Sequence, residues 1–170
     1  PLVGEDVCLL LPPLYYLKGR MKLNVLDKSA ALELQAYLDR FAGNSFKADA
    51  LLRLAWCNAL SGERQTTSSF ASLMAKLNVT LTYADKQAAS EINLVGSIDT
   101  TLLKARLLFD AGNFQQSLTL LVDNKHLRRT LPCEYFYRMA RAQHQLGLYS
   151  EALVNYRSCI DNNTTPQRYF

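Results

Sequence analysis

Covalent chemistry in this chain would have to be built from two histidines, His126 and His144, and four cysteines, Cys8, Cys57, Cys133 and Cys159. A thiolate nucleophile needs a base within hydrogen-bond reach and a third group that orients the base. Either histidine could serve a cysteine in that way, but no third group stands out. The cysteines are separated by 49, 76 and 26 positions. Without a C-x-x-C pair they indicate neither a zinc ribbon nor a thioredoxin-like site, and they read as small apolar fillers on helix faces. The motifs G-x-x-x-x-G-K-S/T, G-x-G-x-x-G, G-x-S-x-G and H-E-x-x-H are absent. The expectation is a chain with no catalytic residues, metal or cofactor, any enzymatic activity of a longer parent protein lying elsewhere.

Binding chemistry is the other use of such a sequence. The chain carries a formal net charge of +4, and its densest basic run is His126-Leu127-Arg128-Arg129, too little concentrated for a typical nucleic-acid surface. With 49% hydrophobic and 20% charged residues, the composition is that of an ordinary globular domain. The apolar stretch Val7–Leu11 stops at Pro12-Pro13, far short of a spanning helix. Asn78-Val79-Thr80 and Asn162-Asn163-Thr164 match glycosylation sequons, which matter only in a eukaryotic secretory setting.

The elements that must position these residues are helices. Glycines number seven and prolines five among abundant Leu and Ala, which favours helix over sheet. Gly62, Gly112 and Gly147 each end one apolar-periodic segment and precede another, as a helix C-terminal glycine does. Seven residues before each lies a small residue, Ala55, Ala105 and Ala140; Gly19 has the same place in a fourth segment, where Leu26 replaces the turn glycine. These tight-contact positions are separated by 36, 50 and 35 residues. The pattern predicts antiparallel helical hairpins over 13–42, 46–77, 99–123 and 133–162, in one array over 1–170. Close approach needs small residues on both helices: Gly19 is set against Ala31 and Ala140 against Ala152, with Ser117 standing where Ala is expected opposite Ala105. The long interval implies an insertion over 78–98, a short helix at Tyr83–Ile92 and a loop at Asn93–Ser97, read as merely tolerated.

The segment Glu134–Pro166, EYFYRMARAQHQLGLYSEALVNYRSCIDNNTTP, resembles a tetratricopeptide repeat in its small residues, turn glycine and aromatics. The likeness is also present at Leu14–Phe41 and Thr101–Val122 and is thinnest at Gln65–Leu77. It implies an all-α, right-handed superhelix, an α–α solenoid of about four hairpins that serves as a protein-interaction scaffold. The run YLDRFAGNSFKADALLRLAWCNALSGE looks like bacterial envelope-associated members of that family.

In such arrays the first helix of each hairpin lines a concave groove. The resemblance therefore places Arg20, Trp56, Arg106 and Arg141 there, with Tyr16, Leu52, Leu102 and Tyr137 four positions earlier and Leu23, Ala59, Phe109 and His144 three positions later. Arginine and aromatic side chains dominate binding energetics, and a row of guanidinium groups favours an acidic or carboxylate-bearing peptide; Asp49, Asp99 and Glu134 at the helix starts are the competing partners within the chain. The asparagines of the chaperone-tail carboxylate clamp are missing from this row. The alternative is a helical-repeat module for single-stranded RNA. The chain starts at Pro1 without an initiator Met and ends on Pro166–Phe170, which looks like the start of a next helix, so a piece of a longer protein is expected. The apolar side of Leu153, Tyr156 and Ile160 would then lack its cover, and a homodimer through it, or a tail packed over it, is the expectation.

Overall fold

The computed structural model describes residues 7, 11–63, 67–77 and 82–162, the side chains of residues 67, 68 and 71 excepted. The described residues are helical, without a strand. They form two compact units, residues 1–98 and 99–170, where the periodicity led us to expect one array.

In the first unit, α1 (Pro13–Asn24) and α2 (Ala30–Arg40) form one hairpin, and α3 (Lys47–Ser61) and α4 (Thr67–Leu77) a second. They are followed by α5 (Tyr83–Glu91) and a 3-10 helix, Ile92–Ser97. The core of the first hairpin is aromatic. Tyr16 stacks on Phe46 with ring centroids 4.8 Å apart, and Tyr37 stacks on Phe41 at 5.1 Å, each pair burying a large apolar area. The Tyr37 hydroxyl donates to the Ser45 carbonyl, so the buried ring keeps a polar partner. On the outer side, Glu33 accepts from Lys22 at 2.6 Å and pairs with Lys18 at 3.1 Å. Burial raises its carboxyl pKa, but the two ammonium groups outweigh that and hold it below the usual value. Its contribution to stability is present above the unfolded-chain value of ~4.3 and is lost as pH falls through the folded value.

The second unit holds α6 (Thr100–Asp110), α7 (Phe114–Asp123), a single turn α8 (Leu127–Thr130), α9 (Pro132–Gln145) and α10 (Tyr149–Asp161). Asp99 caps α6 by accepting from the amides of Thr101 at 2.8 Å and Leu102 at 3.0 Å. Its core gathers Leu102, Ala105, Leu121, Leu127, Tyr135, Phe136 and Cys159. Tyr135 donates to the Leu121 carbonyl at 3.2 Å, tying α9 to α7.

All four expected hairpin turns close in the same way. Leu26, Gly62, Gly112 and Gly147 have φ of 61°, 85°, 81° and 77°. The next amide donates five residues back: Asp27 to Lys22, Glu63 to Asn58, Asn113 to Leu108 and Leu148 to Gln143, at 2.8 to 2.9 Å. That is the Schellman closure, which satisfies carbonyls the helix end leaves open. At Leu26 the chain accepts a left-handed conformation that costs an L-residue roughly 1–2 kcal/mol.

Two packing details differ from expectation. The contact of Gly19 is with Leu34, one helical turn beyond Ala31: a Cβ on Gly19 would lie 2.7 Å from Leu34 Cγ and 3.1 Å from its backbone nitrogen. Leu34 is fully buried and has no room to yield. Gly19→Ala is therefore expected to destabilise the first unit by about 1–2 kcal/mol, overpacking exceeding the gain in helix propensity. The readout is a lower urea midpoint followed by the fluorescence of the buried Trp56. At Ser117, by contrast, the polar atom is used, the hydroxyl donating to the Ala105 carbonyl at 2.8 Å.

From Thr82 to Ile98 the expected insertion is more than tolerated. Helix α5 forms as expected, with Thr82 and Asp85 making a capping box, and Asn93–Ser97 belongs to the 3-10 helix instead of a loop. Asp85 is fully buried and reaches 36 to 39 residues back along the chain. Its carboxylate accepts from the amides of Phe46 at 2.9 Å, Ala48 at 3.0 Å and Asp49 at 3.2 Å, which are open donors at the start of α3. Helix α5 is thus the cap of α3, and it packs against α3 as α4 does. The side chains of Thr67 and Ala71 on α4 lie outside the described residues, as do Asn78–Thr80, Cys8 and the tail 163–170.

Candidate functional site

The residues expected to line a groove separate by unit and by burial. In the first unit only Arg20 is exposed. Tyr16, Leu52 and Trp56 are 1%, 2% and 2% exposed, and Leu23 and Ala59 are buried with them; these positions are corrected from surface to core. At Tyr16 the partner is the buried carboxylate of Asp49. It accepts from the Tyr16 hydroxyl at 2.8 Å and pairs with Arg53, whose guanidinium lies 5.5 Å from the Trp56 ring centroid. A carboxylate removed from water must find donors, and it takes the tyrosine that the spacing reserved for a ligand. Burial and then the Asp49 charge push the Tyr16 hydroxyl up to about 12, so it stays a proton donor at neutral pH.

The second unit keeps most of its expected residues on the surface. Leu102 is buried, but Arg106, Phe109, Tyr137 and Arg141 are half-buried and His144 is exposed. Helices α6 and α9 bring them together: Arg106 and Phe109 lie seven and ten residues into the unit from its Asp99 cap, and Tyr137 and Arg141 are one helical turn apart on α9. The Arg141 guanidinium lies 4.1 Å from the Phe109 centroid and 5.6 Å from that of Tyr137. Phe114, tilted against Phe109 at 5.0 Å, backs this stack. A small cleft between the helices is lined by Ala105, Arg106, Phe109, Ser117, Arg138 and Arg141. Burial raises the Tyr156 pKa; the Tyr137 hydroxyl adds to that and the Arg141 charge opposes it. His144 meets the rings of Tyr149 and Tyr156 edge-on, at 5.6 and 6.4 Å.

Arg138 is the cleft residue that spacing missed. Its guanidinium binds Glu134 through Nε at 2.9 Å and through Nη2, so Glu134 restrains this arginine, as its place at the helix start suggested, while Asp99 serves as a cap. The signal for Arg138 was available, because it is one position from Tyr137 and three from Arg141 on α9.

Outside this cleft, Leu153, Val154 and Ile160 on α10 are exposed and Tyr156 is half-buried. The basic residues Lys125, His126, Arg128 and Arg129 line an open hollow, with Arg128 lying over Phe136 at 5.4 Å. Among the described residues, no group of His, Cys, Asp and Glu is placed to hold a metal ion, and no helix is long and apolar enough to cross a membrane. Comparisons of the chain with protein-family models, with curated proteins and with solved structures find no match.

Proposed function

We propose that this chain is a helical-hairpin interaction module of the tetratricopeptide kind, non-catalytic, and that its second unit binds an acidic peptide segment over the cleft between α6 and α9. The observation that carries the reading is the stacking of Arg141 against Phe109 and Tyr137. A guanidinium flanked by rings is restricted in its motion, and its five N–H groups, fixed in one plane by the group itself, suit bidentate contact with a carboxylate. Arg106 adds positive charge at the same cleft, which speeds encounter with an acidic partner, while the charge of Arg138 is matched by Glu134. The four equal hairpin closures support the wider resemblance, and with it the right-handed superhelix that stacked hairpins of this kind build.

The test is fluorescence anisotropy of the full chain with labelled peptide pools, one biased to Asp and Glu and one to Lys and Arg. The acidic pool is expected to bind and to weaken as salt is raised. Equal binding of both pools would overturn the charge-based reading. Binding of single-stranded RNA with a steep salt slope, and not of acidic peptide, would replace it with a nucleic-acid module.

A further inference from the structure

Helices α9 and α10 run antiparallel across the turn at Gly147, so residues at similar distances from that turn face each other. Cys133, the second residue of α9, and Cys159, in the last turn of α10, are brought together in this way, with their sulfur atoms 3.1 Å apart. Both are thiols in this structure. Cys159 is 1% exposed, within the core of the unit, whereas Cys133 is half-buried at its edge. A disulfide needs a sulfur separation of roughly 2.05 Å and a fitting backbone distance. Here a shift of about one ångström by two side chains at helix ends would form the bond.

We propose that Cys133 and Cys159 are a dithiol modification site, which a low-molecular-weight disulfide such as oxidised glutathione converts to an intramolecular disulfide. Cys133 is the entry point, because it is the more exposed residue of the two. Its thiolate attacks one sulfur of the external disulfide, breaking that bond and expelling one glutathione thiolate. The sulfur of Cys159, giving up its proton, then attacks Cys133 Sγ and expels the second glutathione. Two electrons pass from the two cysteines to the external disulfide, which leaves as two thiols. Burial and the facing Cys133 push the Cys159 pKa up, which fits the role of resolving thiol, acting only once a mixed disulfide sits beside it. The bond would join the start of α9 to the end of α10, closing the hairpin whose turn is Gly147. It does not depend on what the cleft binds.

The experiment equilibrates the reduced full chain in glutathione buffers of rising oxidised fraction and digests it with trypsin under non-reducing conditions. The expected product links residues 130–138 to residues 158–168, two hydrogens lighter than the two peptides together, and is cleaved by reductant. Oxidation is expected to raise the melting temperature of the unit by more than about 5 °C in the wild type and not in Cys133→Ser. If that variant does not fold, Cys159→Ala replaces it as the control. Glutathione retained on Cys133 as a stable adduct, links that involve Cys8 or Cys57 instead, or no cross-link at any buffer ratio would each overturn the proposal.

Discussion

Asp85→Ala is expected to cost the first unit about 5 kcal/mol, since each hydrogen bond to a charged group contributes roughly 1.5–3 kcal/mol and three amides, two of them buried, lose their acceptor at once. For a unit of this size that is a large part of a total stability of about 5–15 kcal/mol. The carboxylate also accepts from the Thr82 amide at 3.2 Å and hydroxyl at 2.7 Å, so the start of α5 is loosened together with the start of α3. Asp85→Asn is informative because it keeps the shape. Oδ1 faces the amides of Ala48 and Asp49, and Oδ2 faces those of Phe46 and Thr82. Whichever way the amide turns, its NH2 confronts donors, so more than half of the Ala effect should remain. Both variants are followed by urea denaturation with Trp56, which is 2% exposed on α3, as the probe. A midpoint equal to that of the wild type in Asp85→Ala would show that α3 does not rely on α5 for its cap.

That contact also marks the limit of what could be read along the chain. Helix starts and ends were legible where they are encoded by neighbours: the turn glycines take positive φ, and Leu26, standing where a glycine was missing, takes it too. The Asp99 cap and the capping box at Thr82 are equally local. Asp85 was not legible, because its partners are 36 to 39 positions away and no pattern of period 3.6 links them. The same holds for Tyr16 and Trp56. Helical spacing could not say whether they face water or the buried charge of Asp49.

In the second unit the cleft was read more fully. Phe109, Tyr137 and Arg141 meet because their spacing on α6 and α9 is regular. Cys133 and Cys159 were legible in principle and were missed. The register expected to set Ala140 against Ala152 carries on, seven residues farther from the turn on either side, to Cys133 and Cys159. Seven residues are close to two helical turns and return to the same face. Counting cysteine spacings along the chain hid that pair, whereas counting outward from the turn glycine exposes it.

Arg141→Ala is expected to weaken acidic-peptide binding by about 10- to 100-fold, the range in which a central arginine anchor falls at an interface, and Arg141→Glu by more, since a like charge then faces the ligand. The discriminating variant is Arg141→Lys. It preserves the charge but supplies a compact ammonium that has no planar face to set against Phe109 and Tyr137 and no paired N–H edge. If the stack is what positions the guanidinium, Lys should recover little of the loss in Ala. Arg138→Ala should cost only several-fold, because Glu134 already engages that guanidinium. Anisotropy with the labelled acidic pool measures all four, and circular dichroism checks that the helices are intact; Trp56 lies in the other unit and is silent here. A Lys variant that binds like the wild type would mean that the cleft reads net charge alone. The aromatic stack would then be packing between α6 and α9, and Phe109→Leu would be felt in stability and not in binding.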